Sequence, residues 1–119
     1  MKAKPFKRTA AGYEPSSVEE ASHVMLNMPG PIPIRMIPVQ LRGTRSGTGN
    51  WSWNGDTEKP TLKPSILSRC PPICECCHTW VHDGMVQFLG DCSHELRGHT
   101  LELLDVDWSE AAEKGGSDG

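Results

Sequence analysis

The run Thr79-Trp-Val-His82, then Asp83-Gly84, then Met85-Val-Gln-Phe-Leu89 decides the architecture of this chain. Two stretches rich in β-branched and aromatic residues that flank Asp-Gly are typical of a β-hairpin with a two-residue type I′ turn. The sequence therefore predicts a hairpin over residues 78–90, and the rest of the chain can be placed relative to it.

The register of this hairpin gathers cysteines and histidines at its open end. With Asp83 and Gly84 as the turn, facing residues have numbers that sum to 167, so Cys77 faces Gly90. Cys92 and His94 are two residues apart and share a strand face with Cys77. The same face carries Val81, Val86 and Phe88. We therefore expect this face to be the core side.

This cluster predicts one structural Zn²⁺ ion. Cys74 lies three residues before Cys77, and a Cys-x₂-Cys turn directs two sulfurs at one ion. His78 competes with Cys74 as the fourth ligand, because it could turn inward if the strand begins only after it. A site closed by four protein ligands stabilises a fold by on the order of 10 kcal/mol and does not catalyse.

Composition indicates one small, turn-rich domain. The chain has 119 residues with twelve glycines and ten prolines, and 36% are hydrophobic. The fold class that fits is mainly β, although a small α+β fold is also compatible. We expect a compact zinc-stapled β-sheet or partial barrel over residues 31–108. Residues 1–30 are expected to be a flexible segment with a short helix over 18–27, and residues 109–119 a disordered acidic tail.

Charge and hydropathy exclude several classes of protein. A net charge of −3 gives no general basic footprint, so a nucleic-acid partner is not expected. No stretch approaches the roughly 18 apolar residues that a membrane span needs, and no apolar region follows the basic N-terminus as in a secretory signal. A cytoplasmic location is expected, where five cysteines favour metal ligands or free thiols over disulfides.

A second candidate surface precedes the hairpin. Two tryptophans, an aspartate and two arginines could form a ligand or partner surface, with the rings as a stacking platform: Trp51, Trp53, Asp56, Arg42 and Arg45. The competing interpretation places Trp51 and Trp53 in the core, which is more common in small β-domains.

The chain also resembles a family of small phage and prophage proteins. The resemblance covers about residues 32–108 and rests on several motifs: Trp51-Ser-Trp-Asn-Gly-Asp56, Lys59-Pro-Thr-Leu-Lys-Pro-Ser65, Cys77-His-Thr-Trp-Val81, Asp83-Gly-Met-Val-Gln-Phe-Leu89 and Asp91-Cys-Ser-His94. That family has no assigned function, and its members often carry the label "ammonia monooxygenase". The resemblance implies Cys77, His78, Cys92 and His94 as metal ligands. A membrane oxygenase needs spanning helices, so we reject that label.

Three functions compete at this point. The first is a non-enzymatic, zinc-stabilised phage accessory protein that binds a host protein or complex, with inhibition of a host defence system as one form. The second is a zinc-dependent hydrolase with three protein ligands and a bound water, in which Asp91, Asp83 or His82 would be the base. The third is a binder of a small ligand or nucleic acid through Trp51 and Trp53. The sequence favours the first and names no catalytic residue.

Overall fold

The computed structural model describes residues 1–41, 50–70 and 74–106, without the side chains of residues 70, 74 and 75. Within these ranges the chain forms nine β-strands and no α-helix. The strands are β1 (Ala3–Thr9), β2 (Gly12–Pro15), β3 (His23–Asn27), β4 (Ile34–Leu41), β5 (Trp51–Trp53), β6 (Leu62–Cys70), β7 (Cys74–His82), β8 (Met85–Phe88) and β9 (Thr100–Glu102). In this part of the chain, no helix is long and apolar enough to span a bilayer.

The strands form one sheet in the order β2-β1-β3-β4-β5-β6-β7-β8-β9. Every pairing is antiparallel except that of β4 with β5. The sheet curls so that the segment after β9 reaches β3. Leu104, which follows β9, forms a β-bridge with Asn27 at the end of β3. The inner face holds the core, whose largest fully buried side chains include Trp53, Phe88, Leu26, Met28, Leu62 and Leu103. A mainly β fold is therefore confirmed.

The hairpin between β7 and β8 has the predicted turn and register. Asp83 has φ 52° and Gly84 has φ 78°, the two positive values that a type I′ turn requires. Val81 pairs with Val86, and Thr79 pairs with Phe88. Thr79, Val81, Val86 and Phe88 are all buried, so the predicted core face is the observed one.

The N-terminal region differs from its expectation. Residues 1–30 contribute β1, β2 and β3 to the sheet, where a flexible segment was expected. Part of the range 18–27, where a short helix was expected, is strand β3. Val24 and Leu26 in β3 are buried, with half-buried residues between them, which is the period of two of a strand. That alternation outweighs the helix-capping signals of Ser16, Ser17 and the following glutamates. The expected tail over 109–119 lies outside the described residues.

Strand β6 carries an irregularity that matters for the site. Leu62 pairs with Val81 and Ile66 pairs with Thr79, so β6 has two more residues than β7 between these pairs. Such a bulge turns side chains away from the regular alternation of a strand. It contains Ser65, whose carbonyl oxygen accepts a hydrogen bond of 3.2 Å from the Trp51 indole.

Candidate active site and thiol cluster

Three polar side chains from different segments meet on the outer face of the sheet. Ser65 lies in the bulge of β6, His78 lies in β7, and Asp91 lies in the turn after β8. Ser65 Oγ is 2.8 Å from His78 Nε2. His78 Nδ1 is 2.9 Å from Asp91 Oδ2 and 3.2 Å from Oδ1. The three groups form a continuous Ser-His-Asp hydrogen-bonded chain.

The chemistry of these groups fixes the direction of the two hydrogen bonds. An ionised carboxylate only accepts, so His78 Nδ1 carries a proton and donates it to Asp91. In the neutral imidazole Nε2 is then unprotonated and accepts the hydroxyl proton of Ser65. This is the tautomer in which a histidine can act as general base toward a serine.

A short turn after β8 brings Asp91 to His78. Leu89 N donates to His78 O at 2.9 Å, as the hairpin register requires, and Cys92 N then donates to Leu89 O at 3.1 Å. Pairing resumes where Ser93 N donates to Cys76 O at 2.9 Å. The turn inserts two residues relative to the predicted register, which leaves the face of every side chain unchanged.

We call Ser65, His78 and Asp91 the triad. It is accessible to solvent. The Asp91 side chain is 59% exposed and the His78 side chain 27% exposed. Water screens the interaction between His78 and Asp91, so this pair contributes little to the stability of the fold. Its arrangement is instead suited to chemistry on a molecule that approaches the outer face.

A second group of donors lies behind the triad on the core side of β7. Cys77 and Cys92 are buried, His94 is half-buried, and their donor atoms all lie within 4.8 Å of one another. His94 Nε2 is 3.3 Å from Cys77 Sγ, and Arg35 Nη2 donates to the same sulfur at 3.2 Å. Burial lowers the pKa of His94, and the nearby Arg35 guanidinium lowers it further. We call Cys77, Cys92 and His94 the thiol cluster.

The thiol cluster has the donor types of a metal site. Two cysteine sulfurs and an imidazole nitrogen are preferred zinc ligands, and a low pKa keeps the imidazole neutral and free to bind. One contact would have to change. Leu96 N–H donates to His94 Nδ1 at 3.2 Å, whereas a histidine bound through Nε2 carries its proton on Nδ1. Metal binding would therefore release the Leu96 amide.

Cys92 connects the thiol cluster to the triad. The amide N–H of His78 donates to Cys92 Sγ at 3.2 Å, and the Cys92 thiol donates to His78 O at 3.1 Å. The sulfur thus holds both polar groups of the His78 main chain. Because Cys92 follows Asp91 directly, this contact ties the two ionisable residues of the triad to each other through the backbone.

The predicted metal ligands lie on two opposite faces of the sheet. Cys77, Cys92 and His94 lie together, as the face parity indicated. His78 lies on the opposite face and binds Ser65 and Asp91, so it does not join the thiol cluster as the family resemblance implied. The side chain of Cys74 is outside the described part of the structure.

The residues of the predicted tryptophan surface are placed differently from that expectation. Trp53 is fully buried, and its indole donates to Asp56 O at 3.2 Å. Trp51 is half-buried and packs against the core. The Asp56 carboxylate accepts hydrogen bonds from the main-chain N–H groups of Glu58 and Lys59 in its own loop. Arg42 and Arg45 lie outside the described residues.

Sequence reasoning missed Ser65 and considered Asp91 only as a base beside a metal. Strand parity could have placed Asp91 on the face of His78, since Asp91 precedes the inward-facing Cys92. Ser65 gave no such signal, because its position depends on the bulge that offsets β6 from β7.

The comparison with protein families gives one match. The model of the family described as "Bacterial ubiquitination-like system serine protease (BubE)" matches residues 34–89. This segment includes Ser65 and His78 and ends two residues before Asp91. No curated protein and no solved structure matches the chain. Over just under half of its length, the chain is therefore similar to a bacterial family whose name states a serine protease activity.

Proposed function

We propose that this protein is a serine hydrolase that cleaves peptide or related acyl bonds with Ser65 as nucleophile. The observation that carries the proposal is the chain of hydrogen bonds of 2.8 and 2.9 Å from Ser65 through His78 to Asp91. Serine, histidine and aspartate in this order recur on unrelated folds and are recognised by geometry.

The proposed reaction proceeds through an acyl-enzyme. Ser65 Oγ attacks the substrate carbonyl carbon while His78 Nε2 takes the hydroxyl proton, and the new C–O bond forms a tetrahedral intermediate. The bond to the leaving group breaks as His78 returns the proton to it. Water then attacks the acyl-Ser65 ester in the same way, with His78 again as base, and frees the acid product. Asp91 keeps the proton on Nδ1 and stabilises the imidazolium that forms in each step.

The family similarity supports the peptide-bond form of this proposal. The matched segment contains the nucleophile and the base, and the name of the family states a serine protease of a bacterial ubiquitination-like system. We accordingly propose protease activity, with a system of that type as its setting.

Covalent labelling of Ser65 tests the proposal. A small fluorophosphonate should form a single adduct, and peptide mapping should locate it on Ser65. Labelling should be absent in Ser65→Ala and slower by at least about 10³-fold in His78→Ala. In Asp91→Ala we expect a loss of only about 10- to 100-fold, since the exposed carboxylate is well screened.

Two other serines serve as matched controls for the labelling. Ser68 lies in β6 beside Arg35, and Ser93 lies in the segment after the turn. Ser68→Ala and Ser93→Ala should both keep their label on Ser65. Wild-type protein that stays unlabelled at millimolar reagent, or a label that persists in Ser65→Ala, would contradict the proposal.

We further propose that the thiol cluster holds one Zn²⁺ ion with a structural role. The support is the donor set of two buried sulfurs and one imidazole within 4.8 Å. The cluster lies on the core side of β7, away from the accessible triad, which argues for a structural role over the zinc-dependent hydrolase considered from the sequence. Cysteine thiolates that bind a metal suit a reducing cytoplasm, which we propose as the location.

The phage origin, the host partner and the inhibition of a host defence stay predictions. The hydrogen-bonded chain from Ser65 through His78 to Asp91 favours an enzyme over a non-enzymatic accessory protein. The burial of Trp53 argues against a stacking platform that needs both tryptophans, so binding of a small ligand or nucleic acid stays the weaker alternative.

A further inference from the structure

The outer face of the sheet has a hollow at Trp80, two residues along β7 from His78. It has a volume of about 270 Å³, and its walls include Trp80, Lys63, His82 and Gln87. Trp80 is 38% exposed, although a large aromatic side chain is costly to leave in water. Small-molecule pockets usually have about 300–1,000 Å³, so this hollow lies just below that range and has room for one amino-acid side chain.

The hollow and the triad share the same strands. Trp80 follows His78 by two residues in β7, so the two side chains lie on the same face. Lys63 lines the hollow from the same bulge of β6 that carries Ser65, and Gln87 pairs with Trp80 across the hairpin. Two residues of a strand span roughly 7 Å, about the distance from a scissile carbonyl to the far end of the adjacent side chain.

We propose that this hollow is the subsite for the side chain on the acyl side of the scissile bond, and that it selects an apolar side chain over a basic one. This inference rests on the proposed function. The Trp80 ring offers apolar surface, which favours an aliphatic or aromatic occupant. Lys63 supplies a positive charge, and none of the described residues that line the hollow is acidic, so a lysine or arginine side chain would meet an unfavourable field.

A series of p-nitrophenyl esters of N-acetyl amino acids tests the subsite, since they differ only in the acyl side chain. The glycine ester has no side chain and reports on the triad alone, with Ser65→Ala as the blank. For wild type we expect kcat/KM of the leucine ester to exceed that of the glycine ester by about tenfold or more. The lysine ester should react several-fold more slowly than the leucine ester.

Variants of the hollow should change selectivity without loss of the basal reaction. Trp80→Ala should reduce the leucine-to-glycine ratio to about threefold or less while the glycine ester reacts as in wild type, and Trp80→Phe should restore most of the ratio. Lys63→Glu should raise the lysine-to-leucine ratio by about fivefold. Leu67→Ala is the matched control, because Leu67 is 52% exposed and pairs with His78 away from the hollow.

The outcomes separate the two proposals. Failure of every ester, together with absent fluorophosphonate labelling, would contradict the proposed function. An enzyme that is labelled at Ser65 but shows equal rates for the leucine and glycine esters would overturn the subsite alone. A leucine preference that survives Trp80→Ala, or that is lost in Leu67→Ala instead, would overturn it equally.

Discussion

At the residue scale, two neighbours in β7 serve two different sites. Cys77 faces the core and joins the thiol cluster, whereas His78 faces outward and joins the triad. The separation follows from the alternation of a strand, which directs successive side chains to opposite faces. A Cys-His pair in sequence can therefore look like two ligands of one metal and still supply one residue to each of two sites.

Asp56 has a structural role that its sequence context did not indicate. Its Oδ1 accepts hydrogen bonds of 2.8 Å from the main-chain N–H groups of both Glu58 and Lys59. These bonds favour the ionised form and lower the pKa of Asp56. The loop that they shape offers Thr57 O to the amides of Lys2 and Ala3, so it also anchors the start of β1.

Loss of the Asp56 carboxylate should therefore lower thermal stability in a pH-dependent way. A carboxyl whose pKa is lower in the folded than in the unfolded state stabilises fully above its ordinary pKa of about 4. That stability is lost as the pH falls through the lower, folded-state value. We expect Asp56→Ala to melt below wild type at pH 7, and the difference between the two melting temperatures to shrink as the pH falls below about 4. Melting curves over this range measure it, and a gap that stays constant would contradict the role.

At the element scale, the proposed active site depends on two departures from regular strand pairing. The bulge of β6 places Ser65 against His78, and the turn at residues 89–92 places Asp91 on the other side of the ring. Regular ladders would leave these side chains apart. Irregularities of this kind are frequent beside active sites, because they aim side chains that the sheet alone cannot bring together.

Cys92 is the contact between these elements, and we expect it to position His78, the base of the proposed reaction. Its sulfur binds both His78 N and His78 O, so Cys92→Ala should leave the main chain of His78 less well held. In chelator-treated protein, fluorophosphonate labelling of Ser65 should slow by about tenfold in Cys92→Ala. Cys92→Ser, which keeps a donor and an acceptor, should recover part of the rate.

Cys77→Ser is the matched control for this effect. It also removes a sulfur of the thiol cluster but leaves the contact between Cys92 and His78 intact. Its labelling rate, measured in the same chelating buffer, should stay within about threefold of wild type. Equal slowing in Cys77→Ser and Cys92→Ala would show that the cluster acts only through general stability and not through the His78 main chain.

At the scale of the whole molecule, local signals predicted the centre of the fold, whereas long-range pairing could not be predicted. The Asp83-Gly84 turn fixed the register of β7 with β8, and parity then separated Cys77 from His78. Strands β1 to β3 were missed because each depends on pairing with other strands, β2 with β1, β1 with β3 and β3 with β4. The sequence in and around them also carries helix-capping and proline signals. The triad was missed because the position of Ser65 depends on the offset between β6 and β7, which no local pattern encodes.

The thiol cluster should make the stability of the whole sheet depend on zinc. It joins the beginning of β7 to the segment that carries Cys92 and His94, so an ion bound there would close the open end of the hairpin in the folded state only. Ligands that bind only the folded state stabilise it by mass action, by about 4 kcal/mol at a thousandfold excess over Kd.

We therefore expect about one equivalent of zinc by elemental analysis, and a fall in melting temperature after chelation that added Zn²⁺ reverses. His94→Ala should lose both the metal and the zinc dependence of melting. His82→Ala, at an exposed histidine outside the cluster, should keep both. Metal-free protein with an unchanged melting temperature would leave Cys77, Cys92 and His94 as a hydrogen-bonded thiol cluster. The labelling of Ser65 would then show whether hydrogen bonds alone keep His78 and Asp91 in place.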